Sequence, residues 1–254
     1  MNNFLRWDGA IEKENYKNRR IKTAGGIVIV LSVLLISLTS LLWSYQDETL
    51  IIIISVACMG FVGFLDDIFG NSRAKGFKGH FKLLLKGDIS TGVLKAFTGL
   101  ATSAAIAFTN KNTSFFQLAT DTFLIAFAIN SLNILDLRPG RACKFFLFSM
   151  IMIAIYDILK GHENLYYHFI PIITSTIVFF YYDLKEYVMM GDTGSNVLGI
   201  CFGLSMVWIL PMEYKMIIAV FLFCLNLAAE KSSLSKIIQR FKLLRLIDNI
   251  GRRP

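Results

Sequence analysis

Charge is what this sequence has least of. Asp, Glu, Lys and Arg make up 17% of its 254 residues, where a soluble domain carries about a quarter. So few charges cannot cover a water-soluble globule, and an ordinary cytosolic domain is excluded. Proline is almost absent, and only Pro139, Pro171 and Pro211 stand where they could interrupt the interior. The four cysteines, Cys58, Cys143, Cys201 and Cys224, each lie in or beside an apolar run. None has metal-ligand spacing and no two share a loop, so they read as small apolar helix residues. The first twenty or so residues lack an apolar stretch ending in a small-residue cleavage site. A cleaved signal peptide is therefore not expected. The chain should insert through its own helices and keep its N-terminus.

What is abundant is apolar sequence, 55% of the chain, with a mean hydropathy of +0.57. Apolar runs of about 17–22 residues recur, each able to cross about 30 Å of hydrocarbon. They fall near 24–45, 49–65, 89–109, 115–135, 143–159, 168–184, 193–210 and 214–229. The expected fold is all-α, a polytopic membrane helix bundle of about eight transmembrane helices. One integral membrane domain would occupy residues 1–230, followed by a basic amphipathic cytoplasmic tail at 231–254. Periodicity says little inside the runs, because a helix in lipid is apolar nearly all round.

The formal charge of +8 is not spread along one exposed face, which argues against nucleic acid. It sits in short loops. One side receives Lys13, Lys17, Arg19, Arg20 and Lys22, then Arg73, Lys75, Lys78, Lys82 and Lys86. It also receives Arg138, Arg141, Lys144, Lys185 and the basic tail. The other side receives Lys111, Lys160 and Lys215. This bias places both termini in the cytoplasm and the protein in the inner or plasma membrane. In the tail, 234–250, apolar residues Ile237, Ile238, Phe241, Leu244, Leu246 and Ile247 gather on one helical face. That suits either an anionic leaflet or plain packing on the protein.

Three polar clusters sit at cytoplasmic helix ends. Gly63-Phe64-Leu65-Asp66-Asp67 puts two carboxylates at a helix C-terminus, where the partial charge is already negative. A cation would resolve the conflict, and Mg²⁺ favours carboxylates combined with substrate phosphates; pairing with Arg73 or Lys75 is the plainer alternative. In Asn130-Ser131-Leu132-Asn133-Ile134-Leu135-Asp136 the polar residues recur every third position and span about a 120° arc. They could line a cavity or bond between helices. Met190-Gly191-Asp192-Thr193-Gly194-Ser195-Asn196 opens a helix whose N-terminus favours anions, though Asp192 could equally be a simple cap. Together the clusters bring acidic groups and basic loops to one membrane face, a pattern suited to a metal-bridged diphosphate.

These motifs, with Thr23-Ala24-Gly25-Gly26 before them, resemble the polyprenyl-phosphate N-acetylhexosamine-1-phosphate transferase family (glycosyltransferase 4 type) over most of the chain, which looks like a shortened member. The resemblance implies transfer of a sugar 1-phosphate from a UDP-sugar to a polyprenyl phosphate for cell-envelope glycan synthesis, releasing UMP. The implied cofactor is Mg²⁺, with Mn²⁺ as the alternative ion. The implied partners are the UDP-sugar, the lipid acceptor, membrane lipids and, by analogy, a second copy of the chain. Asp66 would deprotonate the lipid phosphate or neighbour the metal, with Asp67 in support. Asp192 would be the principal metal ligand, aided by Asn133. Asn130, Asp136 and Thr23 would lie toward the substrates, with Lys82 and Lys86 in a phosphate-binding loop. The chain departs from the family pattern at Gly70, which replaces a third Asp, and at Pro139, which replaces another. The His-rich motif is missing where Glu230, Lys231, Ser232 and Ser235 stand. Arg138 and Arg141 are candidates to take over a phosphate contact. Two other readings stay open: a non-catalytic relative that binds lipid phosphate or a partner, and a transporter.

Overall fold

The computed structural model describes residues 12–70, 97–105, 114–161, 165–231 and 234–252. Helices dominate. The first, α1 (Ile27–Trp43), is followed by α2 (Asp47–Phe69), whose first turn carries Asp47 and Glu48 against the positive end of its dipole. Residues 97–105 are helical. Next comes α3 (Phe115–Leu135), where the Ser114 hydroxyl caps the Gln117 N–H at 3.2 Å. The helix α4 (Arg141–Lys160) starts after Gly140 and stops at Gly161, both left-handed. A short 3-10 turn, Leu165–Phe169, leads into α5 (Ile170–Leu184), with Pro171 in its first turn. Then come α6 (Gly191–Ile209), α7 (Met212–Lys231), α8 (Leu234–Arg240) and α9 (Lys242–Asn249).

The spans expected at 49–65, 115–135, 143–159, 168–184 and 214–229 correspond to helices long and apolar enough to cross a bilayer: α2, α3, α4, Leu165–Leu184 and α7. The chain is a multi-pass helical membrane protein on this basis. The helix at 24–45 is shorter, 17 residues in α1. The expected span at 89–109 lies partly outside the described residues.

At the centre stands α6. Sixteen of its 19 residues are buried, and its most extensive partners are α3 and α2, with α4 and α1 alongside. A β-carbon on Gly199 would collide with the Ile129 backbone, so glycine is what lets α3 lie directly on α6. Val197, Leu198, Ile200, Cys201 and Leu204 fill the core with Leu124, Ile125, Ala128 and Leu132. The outer helices instead expose Leu35, Phe61, Phe148, Ile217 and Val220, as lipid-facing surfaces do.

Two features depart from the expected all-helical chain and single tail helix. A hairpin precedes α1: β1 (Glu12–Glu14) pairs antiparallel with β2 (Arg20–Lys22), Glu12 opposite Lys22. The Asn15 side chain accepts from the backbone N–H groups of Lys17 and Arg19 and so closes its turn. The tail breaks at Phe241, whose extended backbone (φ −100°, ψ 117°) separates α8 from α9 and resets the helical phase.

Far from the acidic clusters, at the end of the bundle where α3 and α7 begin, Lys215 meets the fully buried Asp121 at 3.1 Å. The same end holds a cavity of about 390 Å³ lined by Ser37, Thr49, His168 and Pro171. It lies a whole membrane thickness of helix away from the carboxylates described next.

Candidate functional site

The start of α6 is where distant parts of the chain meet. Met189 N–H donates to the Lys22 carbonyl at 2.8 Å, Gly25 N–H to Met189 at 3.0 Å, and Gly26 N–H to Met190 at 2.9 Å. These bonds lock the entry of α1 to the entry of α6. The two backbones touch at Gly26 and Gly194, since a methyl on Gly26 would strike Gly194 N and Cα. Thr23, buried at this junction, belongs to the same seam.

Asp67 explains why a carboxylate can sit at the wrong end of α2. Its oxygens accept from Asp192 N–H at 3.1 Å, Thr193 N–H at 3.0 Å and the Thr193 hydroxyl at 2.7 Å. Asp67 is thus the N-terminal cap of α6, supplied by another helix. The negative C-terminus of α2 is tolerable because the positive N-terminus of α6 faces it. Gly191, at φ +72°, is part of this fit, because a β-carbon there would enter the Asp67 carboxylate.

The second cluster reaches the same place from α3. Asn133 Oδ1 accepts from the Ser195 hydroxyl at 3.2 Å. Asp136, just past the last turn of α3, is held well above the usual carboxylate range. Burial is the first cause, then repulsion from Asp183, Asp192 and Asp67, with the Gly191 N–H working the other way. Asp66 and Asp192 are partly buried beside Asp67 and Thr193. Asn130 is placed differently: its amide donates to Asn226 of α7, and Asn226 in turn donates to Ser131 and Leu222.

Asp183 was not among the residues anticipated. It reads in sequence as the end of an apolar run, although that is the same signal that picked out Asp66 and Asp67. Its Oδ2 accepts from Gly140 N–H at 2.7 Å and lies 3.9 Å from the Cys143 sulfur. It therefore fixes the turn that follows Asp136, at the place where Pro139 removes an acidic side chain. Lys13 was also missed. Its Nζ comes from the hairpin to 3.7 Å from Asp67 Oδ1. The hairpin is tethered by Glu186, which accepts from the Tyr16 hydroxyl at 2.9 Å and pairs with Lys17 at 3.1 Å. Arg138 lies over the Tyr16 ring, 4.1 Å from its centroid. Arg141, nearly buried, forks onto Asp248 at 2.9 and 2.8 Å. Lys82 and Lys86 lie outside the described residues.

Residues 49–210 match the model of glycosyl transferase family 4. The chain belongs to that family. This family 4 chain is similar to the phospho-N-acetylmuramoyl-pentapeptide-transferase of Clostridium botulinum (strain Eklund 17B / Type B), 28% identical over 203 residues. That alignment covers 77% of this chain and 61% of the relative. The protein of that name from Petrotoga mobilis is 29% identical over 231 residues, covering 87% and 70%. The one from Chlorobium phaeobacteroides is 25% identical over 272 residues, covering 94% and 71%. The chain thus spans about six-tenths of the length of the Clostridium relative.

The family implies a divalent metal. Among the described residues, no group of three or more His, Cys, Asp or Glu is drawn close enough to ligate one ion. The donor chemistry fits all the same. Asp66, Asp136 and Asp192 offer hard oxygens, and the mutual repulsion felt at Asp136 is what a bound cation relieves. One turn into α6, the fully buried Asn196 has both amide atoms without a hydrogen-bond partner, so this end of the helix keeps unused polar capacity.

Proposed function

We propose that this chain transfers a sugar 1-phosphate from a UDP-sugar to a polyprenyl phosphate, at the cytoplasmic end of an eight-crossing bundle in the inner or plasma membrane. The observation that carries this reading is the meeting of three separated motifs at the α6 N-terminus. Asp67 caps it, Asn133 bonds Ser195, and Asp136 accepts from Gly191. A helix N-terminus capped by Asp67, with Asp136 beside it and Lys13 reaching it, suits a metal-held diphosphate.

In this reading the lipid phosphate loses its proton to Asp66. Its oxygen then attacks the phosphorus that bears the sugar. A new P–O bond forms, the bond to the bridging oxygen of the diphosphate breaks, and UMP departs with that oxygen. Asp192 and Asn133 would hold Mg²⁺, which would draw charge from the diphosphate oxygens when bound. Asp67, already committed to the Asp192 and Thr193 N–H groups, sets the position of Asp192. Asp183 holds the turn behind Asp136. The apolar outer faces of the bundle would let the lipid acceptor approach sideways. The UDP-sugar would enter from water past the hairpin and Arg138.

The test is UMP release by purified protein given Mg²⁺, undecaprenyl phosphate and a panel of UDP-sugars. Turnover with at least one donor, lost on chelation and in Asp66→Asn and Asp192→Asn, is the expected outcome. Absence of UMP from every donor while lipid phosphate still binds would overturn the transferase reading and leave a binding protein. Solute uptake into liposomes without UMP would point to transport.

A further inference from the structure

The C-terminal helix α9 faces the wrong way for a helix in water. At about 100° per residue, Leu243, Leu246, Ile247 and Ile250 fall within an arc of about 100°, and Asp248 lies about 150° from its centre. Asp248 is the side turned to the protein. It accepts from Arg141 at 2.9 and 2.8 Å and from Arg252 at 2.9 and 2.6 Å. Lys144 Nζ holds the carbonyls of Ile247 and Asp248 at 2.9 Å each, which satisfies the open end of the helix. Arg252 also donates to the Pro139 carbonyl at 2.8 Å. Asp248 and the last carbonyls are therefore held by the bundle, and the apolar arc looks outward. Leu243 is 70% exposed, Leu246 57% and Ile250 64%.

An amphipathic helix on a soluble surface does the reverse. The inversion makes sense where the outer medium is hydrocarbon. The helix is fastened to Arg141 and Lys144, in the first turn of α4, and Gly251 backs onto Leu184 at the end of α5. This is the level at which the apolar outer surface of the bundle gives way to charge. The flanks are basic. Lys236, Arg240, Lys242 and Arg245 are accompanied in 234–252 by one acidic residue, Asp248, whose charge is already paired.

We propose that α9 docks in the plane of an anionic bilayer, with Leu243, Leu246, Ile247 and Ile250 at the boundary of headgroups and acyl chains. Lys242, about 90° from the centre of the arc, meets lipid phosphates from its edge. Through Asp248, Arg252 and Lys144 the docked helix is tied to the turn that carries Asp136. The inference stands apart from the transferase reading, since it concerns lipid contact and not turnover.

The experiment uses the full chain in nanodiscs, with Cys58 and Cys224 replaced by Ser and a spin label placed at Leu246→Cys, Ile250→Cys or Asn249→Cys. Collision with oxygen, which concentrates in acyl chains, is compared with collision with a water-soluble nickel chelate. Labels at 246 and 250 are expected to favour oxygen several-fold over the label at 249 in discs containing phosphatidylglycerol. The difference should shrink in phosphatidylcholine alone. Equal, chelate-dominated collisions at all three positions would overturn the proposal. So would close spin–spin coupling between two labelled copies, which would mean that a second chain covers the face. Two label positions on the apolar arc guard against one variant failing to fold.

Discussion

At the level of single residues, Asp67 is the group whose loss the structure predicts most directly. It satisfies two backbone N–H groups and one hydroxyl at the head of a buried helix. Asp67→Ala leaves them without an acceptor, at a cost of about 1–3 kcal/mol for each group that stays buried and unpaired. Thermal unfolding in detergent should show a clear drop in Tm, with Asp67→Asn falling between the two. Asp248 gives a prediction in pH. Partial burial raises its pKa, but hydrogen bonds from Arg141 and Arg252 outweigh this and bring it to about 2. A folded-state value below the unfolded one means that the carboxylate stabilises the fold above its unfolded pKa of about 4. That contribution is lost as pH falls from about 4 toward 2. Solvent screening at this half-buried site holds it to about 1 kcal/mol. Stability measured from pH 6 down to pH 2.5 should decline in the parent and decline less in Asp248→Asn, which starts lower.

At the level of helices, the pairing of α3 with α7 rests on polar contacts at two depths. Asn226 bonds to Asn130 and Ser131 near one end, and Lys215 pairs with Asp121 near the other. Asp121 is fully buried and Lys215 is 4% exposed, so removing one partner strands a charge. Asp121→Ala should destabilise by about 3–5 kcal/mol. The double variant Asp121→Leu with Lys215→Met should regain most of that, because a buried pair is often worth little against apolar packing. A double-mutant cycle on detergent-solubilised protein would measure the coupling. If the double variant loses the sum of the two single-variant losses, the pair does not join the two helices.

For the molecule as a whole, the five spans at 49–65, 115–135, 143–159, 168–184 and 214–229 were legible because those apolar runs are long, and their bounds shift by only a few residues. The meeting of the three acidic motifs was legible because the alternation of basic loops puts their helix ends on one side. What stayed hidden depended on partners distant in sequence. Asp67 looked like a strained residue of α2 until α6 was seen to supply its N–H groups. Lys215 read as a loop charge, since nothing near it in sequence announces Asp121, more than ninety residues away. The hairpin is six short-strand residues in a charged stretch, and its register comes from Asn15 and from Glu186 far downstream. Amide exchange in nanodiscs should rank these parts. The inner turns of α6 should be protected longest, and the hairpin and α9 should exchange first.

Because α6 is walled in by its neighbours, the bilayer never tests its composition. Its opening turn can therefore carry Asp192, Thr193, Ser195 and Asn196 in succession without any of them facing hydrocarbon. These polar residues sit in a helix that its neighbours cover almost completely. Substitutions there will be judged by fit against α2 and α3, and hydropathy will be a poor guide to which of them survive.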